Sequence, residues 1–293
     1  MTTNKLAQFM FQRVRRGTGM PVINAPRGWI PGALFASNTR TYGTVLNHGL
    51  QTLADGQMII GQVMDFRIYA MNVAHRIALA QRSLLLMQGG CPPKLTELGT
   101  KAFRPARMMR IDFCTRLTKV MTGYDFGNAA NYRKFGREFP PPDITDGSVE
   151  LVLIPVHYDV HFTLMVLDLS HKALQWYDSL HVPLNAKGRF AMDYVLRWVM
   201  DEHAANGKAS DIRDWSTHVY STVVPKQTNG VDCGLFALEF ARCILTGHPW
   251  DFGQDDIPVV RRGSHWTSSL ADGQQPLQQT WPMTAAMMGP CTH

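Results

Sequence analysis

The sequence has few cysteines, and no two of them form a C-x-x-C pair. The five cysteines stand at positions 91, 114, 233, 243 and 291 of a 293-residue chain. An odd number without close pairs argues against a disulfide framework and against a zinc ribbon. Reduced thiols in an intracellular compartment, either nucleus or cytoplasm, are the simplest account of them. We therefore expect an intracellular protein with free thiols, one of which is available for chemistry.

Long apolar runs without charge are also missing. The most apolar stretch, Met58–Met87, contains Asp65, Arg67, Arg76 and Arg82, and a bilayer span of about 20 residues would not tolerate these charges. No apolar segment followed by a small-residue cleavage site opens the sequence, which predicts that the protein is not secreted. The stretch is therefore expected to be a buried or amphipathic helix, and the protein is expected to have no membrane contact.

Acidic residues are absent before Asp55. The six basic residues before it account for the whole formal charge of +6, because the remaining 23 basic residues balance the 23 acidic ones. The simplest interpretation is a solvated arm, with binding to nucleic acid or to an acidic partner as the next one and an organelle transit peptide as a third. The six basic residues are Lys5, Arg13, Arg15, Arg16, Arg27 and Arg40.

The distribution of Gly, Pro and apolar residues predicts three regions: a poorly ordered basic extension over residues 1–46, a folded domain over residues 47–256, and a polar tail over residues 257–293. The domain mixes helical periodicity with short apolar and β-branched runs. This pattern predicts an α+β fold with a mixed or antiparallel central sheet packed by helices. Helices are predicted over 53–87, 186–205 and 234–246, and strands over 149–156, 162–169, 174–177 and 217–224.

Cys233 lies between a turn and an apolar helix. The turn contains Asn229 and Gly230, and the apolar run begins with Gly234 and Leu235. A thiol at a helix N-terminus lies at the positive end of the macrodipole, which favours the thiolate. The glycine beside it allows a substrate backbone to come close. The pattern predicts a papain-like nucleophile on the N-terminus of a core helix, and the other four cysteines are interpreted as structural.

A thiol peptidase also needs an imidazole base, a group that orients the base, and a donor for the developing oxyanion. His161 begins one predicted strand and Asp178 follows the next, and neighbouring strands commonly bring their ends together. Gln227 lies six positions before Cys233 (233 − 227), so its amide can fold back over the thiol. His161, Asp178, Gln227 and Cys233 are therefore the candidate catalytic residues.

Three segments of the sequence resemble one known family. Residues 161–164 are His-Phe-Thr-Leu, residues 177–180 are Tyr-Asp-Ser-Leu, and residues 227–234 are Gln-Thr-Asn-Gly-Val-Asp-Cys-Gly. These segments resemble the motifs of the cysteine peptidases specific for ubiquitin-like proteins (the SUMO proteases), whose fold is shared with the adenovirus protease. The His-to-Asp interval of 17 positions (178 − 161) and the order His, Asp, Gln, Cys are also similar to that family.

The resemblance implies a role for each candidate. His161 would accept the thiol proton and later donate it to the leaving amine, Asp178 would hold the imidazole, and Gln227 with the backbone N–H of Cys233 would face the oxyanion. The implied reaction is cleavage after a Gly-Gly-like C-terminus of a ubiquitin-like (SUMO-type) modifier, for deconjugation or precursor maturation. It requires no cofactor and no metal.

Two positions depart from the family pattern. The family usually has a Trp directly after the catalytic His, where this sequence has Phe162, and an upstream Trp for which the best counterpart here is Met58. In the family these two tryptophans clamp the Gly-Gly end of the modifier. The resemblance therefore implies substrate contacts at Phe162, Met58, Asp232 and Gly234, and the two replacements predict relaxed selectivity for Gly-Gly.

Other interpretations stay open at the level of sequence. The same fold suits a viral or mobile-element endopeptidase that cuts a polyprotein, and also a bacterial effector with peptidase or acyltransferase activity. A catalytically inactive homologue that binds a modifier is another alternative. A further one is a zinc site, because His157, Asp159 and His161 share one face of an extended strand. The zinc interpretation leaves the 227–234 motif unexplained.

Overall fold

The computed structural model describes residues 52–87, 104–119, 123–127 and 142–262. The predicted basic extension (1–46) and residues 263–293 of the predicted tail lie outside the described residues, so the division into three regions stays a prediction. The helices are α1 (Gly61–Met87), α2 (Phe113–Arg116), α3 (Ala186–Ala205), α4 (Cys233–Thr246) and α5 (Ile257–Arg262), with 3-10 turns at Ile212–Asp214 and Gln254–Asp256. The strands are β1 (Ala106–Met108), β2 (Thr118–Lys119), β3 (Gly123–Tyr124), β4 (Leu151–Tyr158), β5 (His161–Asp168), β6 (Ala173–Tyr177) and β7 (Ser216–Val219).

Five of the strands form one mixed sheet in the order β1-β4-β5-β6-β7. The three central strands are antiparallel to their neighbours within that group, and each edge strand is parallel to the strand that it joins. Helices cover both faces. The predicted α+β class with a mixed central sheet is therefore confirmed.

The two longest strands are continuous apolar runs because both faces of the sheet are covered. Leu151 and Leu153 of β4 lie in the core on one face, and Val152 and Ile154 lie in the core on the other. Pro155 stands inside β4 although it has no N–H to donate. It is tolerated there because β1 pairs only with residues 151–153, and Pro155 lies beyond the end of β1.

The two cores have different helices. On the first face α1, α4 and α5 supply buried side chains that include Val63, Phe236 and Val260. On the second face α2 and α3 supply Phe113 and Trp198, whose rings meet edge to face with centroids 4.9 Å apart. The first core contains Cys233 itself, so the thiol lies where α4 meets the sheet.

The predicted helices follow local signals. α3 begins where Asn185 accepts a hydrogen bond from the backbone N–H of Gly188 at 2.9 Å, which is the usual N-cap contact. α4 ends at Gly247, whose φ of 70° is the left-handed conformation that glycine adopts without strain. None of the helices in the described ranges combines the length and the apolar character that a membrane crossing needs.

Three predicted boundaries differ from the structure. The helix predicted over 53–87 begins only at Gly61, because Thr52–Gln57 forms a turn. The strand predicted over 217–224 ends at Val219, since the chain turns at Tyr220, whose carbonyl accepts a hydrogen bond from Val223. The first six residues of the predicted tail form α5, with Ile257 and Val260 buried in the first core.

Candidate active site

His161 and Asp178 meet at one edge of the central sheet. β5 begins with His161 and β6 ends at Tyr177, and the two strands are antiparallel neighbours. The start of one strand therefore lies beside the end of the other. The Nε2 atom of His161 is 2.9 Å from Oδ1 of Asp178, and Asp178 is 1% exposed. Asp178 Oδ1 also accepts the backbone N–H of Leu180 at 2.9 Å, which fixes the carboxylate.

Cys233 is the first residue of α4, as predicted, and is 1% exposed. Its Sγ atom lies 3.9 Å from the carbonyl oxygen of Val160, the residue before His161. The imidazole of His161 lies close enough to interact electrostatically with the thiol as well as with Asp178. Because Nε2 faces Asp178, the Nδ1 atom is the ring nitrogen left for Cys233.

The electrostatics of the pair favour a charged imidazole. Burial alone lowers the pKa of His161, but the interactions with Asp178 and Cys233, together with the negative charge of both, raise it to about 9. An imidazolium at neutral pH can stabilise a thiolate beside it and can later supply a proton. The geometry therefore suits nucleophilic attack by sulfur followed by acid catalysis by His161.

Gln227 is held in one orientation by two contacts. Its Oε1 accepts the hydroxyl hydrogen of Ser179 at 2.5 Å, and its Nε2 donates to the carbonyl of Asn229 at 2.6 Å. Its own backbone N–H donates to the carbonyl of Ser179 at 2.9 Å. An amide nitrogen has two hydrogens, and the Asn229 contact uses one of them. The second is the hydrogen that an oxyanion donor needs.

Asp232 and Gly234, on either side of the thiol, have different surroundings. The carboxylate of Asp232 is 4% exposed and accepts hydrogen bonds from Asn229 at 2.6 Å and Gln254 at 2.7 Å, besides an ion pair with Arg261. As placed, it contacts the protein's own side chains. Gly234 packs so closely that an added Cβ would lie 2.9 Å from Cγ1 of Ile59. The predicted substrate contacts of both residues stay predictions.

Phe162 and Met58 differ in exposure. Phe162 is 4% exposed and lies in the first core, where the ring of His157 stacks on it with centroids 4.2 Å apart and an interplanar angle of 22°. Met58 is half-buried, and Ile59 after it packs in the same core. The structure thus places an exposed imidazole over the residue that stands where the family has tryptophan. Their predicted roles as substrate contacts also stay predictions.

The alternative zinc trio is not assembled. Asp159 pairs with Lys187, His161 faces Asp178, and His157 lies over Phe162. Within the described ranges, no group of three or more His, Cys, Asp or Glu side chains could hold a metal ion.

Sequence reasoning missed three residues that shape the site: Ser179, Asn229 and Arg261. Ser179 and Asn229 stand inside the two motifs that carried the prediction, so their hydrogen-bonding side chains beside Asp178 and Gln227 were a usable signal. Arg261 lies 28 positions after Cys233 (261 − 233) in a segment interpreted as tail, and no local pattern marked it.

The fold and the grouping of His161, Asp178 and Cys233 are those of the cysteine peptidases. Residues 102–268 match the model of the Ulp1 protease family, C-terminal catalytic domain. The match covers more than half of the chain, and the chain belongs to this family. The resemblance to SUMO-protease-like cysteine peptidases is thereby confirmed.

Curated relatives match part of the chain. Sentrin-specific protease 5 of Homo sapiens is 30% identical over 112 residues, which are 38% of this chain and 14% of that protein. Sentrin-specific protease 2 of Mus musculus is 35% identical over 121 residues, 40% of this chain and 20% of that protein. The matched region is thus a small part of each relative's length.

Solved structures show the same fold. The C-terminal Ulp1 protease domain in complex with Smt3, the yeast ortholog of SUMO, aligns with a TM-score of 0.54 at 16% identity, over 88% of this chain and 90% of that one. The catalytic domain of the Chaetomium thermophilum Ulp1-like SUMO protease aligns with a TM-score of 0.55 at 15% identity, over 92% and 89%. At these identities the likeness concerns the fold.

Proposed function

We propose that this protein is a cysteine endopeptidase that hydrolyses the peptide or isopeptide bond after a Gly-Gly-like C-terminus of a SUMO-type modifier. The observation that carries the proposal is the 2.9 Å contact between His161 and Asp178 beside a thiol at the start of α4. Membership in the Ulp1 protease family and relatives named sentrin-specific proteases support the substrate class. The free thiols Cys114, Cys233 and Cys243 fit a reducing compartment, nucleus or cytoplasm.

The residues act in a defined order. The thiolate of Cys233 attacks the carbonyl carbon of the last glycine, and the oxyanion accepts hydrogen bonds from Gln227 and from the backbone N–H of Cys233; one such donor lowers the barrier by about 3 kcal/mol. The C–N bond then breaks as His161 protonates the leaving amine. Water, deprotonated by His161, attacks the thioester and releases the modifier carboxylate and the thiol. Asp178 keeps Nε2 protonated and stabilises the imidazolium throughout.

The substrate slot is the second part of the proposal. Phe162 and Met58 take the places of two tryptophans, and the ring of His157 stacks on the buried Phe162. A methionine has three rotatable bonds and specifies a slot poorly. We therefore propose that Phe162 and Met58 enclose the glycine of the substrate loosely. A loose fit also favours the second candidate, an endopeptidase that cuts a polyprotein after a small residue. For the basic arm before Asp55, a solvated segment stays the simplest interpretation, and contact with nucleic acid or an acidic partner is the next one.

The test is a panel of modifiers that carry a C-terminal electrophile: a SUMO-type modifier, ubiquitin and another ubiquitin-like protein. We expect the SUMO-type probe to form a covalent adduct, located at Cys233 by peptide mass spectrometry and lost in Cys233→Ala. A SUMO-type probe that does not react, while a peptide electrophile with a small residue before the warhead does, would replace the first candidate with the second. Probes that react equally with Cys233→Ala would refute both.

A further inference from the structure

Arg261 is a buried charge that the mechanism above does not use. It lies in α5, within the segment that the sequence predicts to be tail, and its side chain is 2% exposed. A buried guanidinium is unfavourable unless it is paired and fully hydrogen-bonded. Its partners therefore show what it holds in place.

One guanidinium joins three segments of the chain. Its Nη1 atom donates to the carbonyls of Thr52 at 3.1 Å and Ala54 at 3.0 Å, and its Nη2 atom donates to the carbonyl of Gln57 at 2.5 Å. Nη2 also forms an ion pair with Asp232. The turn before Met58, the turn before Cys233 and α5 thus meet at a single side chain.

Asp232 connects Arg261 to Gln227, the candidate oxyanion donor, through Asn229. Its Oδ2 accepts the side-chain N–H of Asn229 at 2.6 Å, and the carbonyl of Asn229 in turn accepts Nε2 of Gln227 at 2.6 Å. Although burial raises the pKa of Asp232, hydrogen bonds from Asn229, Arg261 and Gln254 hold it below its usual range, so the carboxylate stays charged. The contacts form an unbroken series from Arg261 to Gln227.

We propose that Arg261 is a positioning residue for the oxyanion site: it fixes Asp232, which fixes Asn229, whose carbonyl orients the amide of Gln227. The same guanidinium fixes the turn that leads into Met58, so both sides of the site take their position from one side chain. An arginine suits this role because its planar fork presents five donors in a fixed geometry. The inference rests on the proposed function, since the oxyanion forms only in that reaction.

The test uses Arg261→Met, the conservative variant Arg261→Lys, and Arg242→Met as a matched control. Arg242 donates to Glu239 at 2.6 Å and to Asp251 at 2.8 Å, and the side chain of Glu239 is 1% exposed. Its loss therefore also leaves a buried carboxylate of the same core without its arginine. Arg242 lies nine positions from the thiol (242 − 233), about 14 Å along the helix. It is therefore distant from the turn over residues 227–232, which contains the candidate oxyanion donor.

For hydrolysis of a SUMO-type modifier with a C-terminal fluorogenic amide, we expect Arg261→Met to lower kcat about 100-fold and to raise KM by a smaller factor, because the turn that leads into Met58 is released as well. The fall in kcat reflects the oxyanion donor. A misplaced donor is lost in the transition state and not in substrate binding. Arg261→Lys should recover part of kcat, because an ammonium can reach Asp232 but cannot also hold three carbonyls. Arg242→Met should lose folding stability and keep kcat. Equal kcat values in the two methionine variants, or a loss confined to KM, would overturn the proposal.

A second measurement does not need turnover. Amide hydrogen exchange should become faster in peptides that cover residues 52–58 and 227–233 in Arg261→Met, and should stay at the wild-type rate there in Arg242→Met. If the wild-type protein cleaves no modifier, the proposed function fails and exchange alone decides whether Arg261 orders the turn. Unchanged exchange in both peptides would overturn the inference even in an active enzyme.

Discussion

At the scale of single residues, the tautomer of His161 decides the chemistry. Asp178 accepts from Nε2 at 2.9 Å, so in the proposed reaction Nδ1 is the nitrogen that exchanges a proton with Cys233. An ion pair between thiolate and imidazolium needs a histidine that stays charged at neutral pH, and the pKa of His161, raised to about 9, meets that requirement. The acid that protonates the leaving amine is therefore present before substrate arrives.

This raised pKa predicts the alkaline limit of activity. Above pH 9 His161 loses its proton and with it the acid for the leaving group, so kcat/KM should fall as pH rises through about 9. Asp178→Asn removes the charge that raises this pKa, so the alkaline limb, which is the fall of kcat/KM at high pH, should move to lower pH. The same change should lower kcat by about 10⁴-fold. The measurement is kcat/KM from pH 6 to 10 for both proteins. An alkaline limb that stays in place in Asp178→Asn would mean that another group sets it.

The nucleophile can be tested against a closely matched cysteine. Cys233 and Cys243 both lie in α4 and both are 1% exposed, and serine replaces the same single atom in each. Burial raises the pKa of Cys243 to about 12, which keeps it an inert thiol. We expect Cys233→Ser to reduce hydrolysis to the assay background and Cys243→Ser to remain active. Comparable melting temperatures serve as the folding control, and turnover by Cys233→Ser would exclude it as nucleophile.

Among single residues, sequence predicts those whose chemistry stands in a local motif. The segments 161–164, 177–180 and 227–234 together named all four catalytic candidates. His161, Asp178 and Cys233 come together in the structure, and Gln227 lies in the turn before the thiol. Arg261 could not be found in this way, because its role depends on four partners separated from it by 29 to 209 positions. Long-range contacts of a lone arginine leave no periodic or motif signal.

At the scale of elements, the polar residues of α1 close one edge of the sheet. The amide of Asn72 exchanges two hydrogen bonds with the backbone of Met108 in β1, at 2.8 and 2.9 Å, as a neighbouring strand would. Asp65 accepts the backbone N–H of Ile111 at 3.1 Å. An unpaired strand edge invites association with other chains, and here a helix satisfies it. Asp65, one of the charges that exclude a membrane span in this stretch, thus has a structural use.

The start of α4 gives a prediction at the same scale. A methyl group on Gly234 would lie 2.9 Å from Cγ1 of Ile59 and 3.2 Å from Sδ of Met64. Overpacking costs about 1–3 kcal/mol, against up to about 1 kcal/mol gained from helix propensity. Gly234→Ala should therefore lower the free energy of unfolding by about 0–3 kcal/mol and reduce kcat/KM about tenfold or more, because Ile59 carries Met58 with it.

The control for this change is Gly253→Ala, where an added Cβ meets nothing within 4 Å. Urea unfolding and steady-state kinetics of the two variants give the comparison. If Gly234→Ala retained both the stability and the activity of the wild type, the packing of Ile59 against Gly234 would not hold the residues beside the thiol in place.

Helices and strands are predicted correctly where an element is apolar throughout or repeats its apolar residues at helical spacing. β4, β5, α3 and α4 have uniform apolar runs or helical spacing, and their predicted positions agree within two residues. β1 was missed because three residues carry too little pattern and its pairing partner, β4, lies more than 40 positions away. The helix over 53–87 was predicted too long because Thr52–Gln57 forms a turn whose carbonyls are held by Arg261, a contact that the local sequence does not reveal.

At the scale of the whole molecule, the layers depend on contacts between distant parts of the chain. Arg67 of α1 donates to the carbonyls of Val260 at 2.8 Å and Arg261 at 3.0 Å, so the first and last described helices are joined directly. Arg104, which precedes β1, forms ion pairs with Glu150 at 2.7 Å and Asp168 at 2.6 Å. Ionisable groups at contacts between distant segments make the fold sensitive to changes in protonation.

The contact between α1 and β1 contains a histidine, His75, that makes the molecule sensitive to acid. His75 of α1 is 4% exposed, and its Nε2 accepts the backbone N–H of Ala106 at 3.2 Å. Burial lowers its pKa to about 4 from 6.5, although hydrogen bonds with the backbone at Arg104 and Leu245 act the other way. Since the unfolded chain takes up the proton more readily, the stability that His75 contributes is complete above pH 6.5 and is lost as pH falls towards 4.

We therefore expect the free energy of unfolding to fall by about 1.4 kcal/mol per pH unit in this interval from His75 alone. His75→Gln should remove that part of the slope, because an amide can accept from Ala106 and donate to the carbonyl of Arg104, which lies 3.1 Å from the same nitrogen, without titrating. Urea unfolding at pH 7.5, 6 and 5 measures the slope in both proteins. At pH 7.5 the two should agree within about 1 kcal/mol, the usual range for a substitution that keeps its hydrogen bonds. Parallel slopes would show that the junction of α1 with the sheet edge does not set acid stability, and the acid-sensitive group would then have to be sought among the carboxylates.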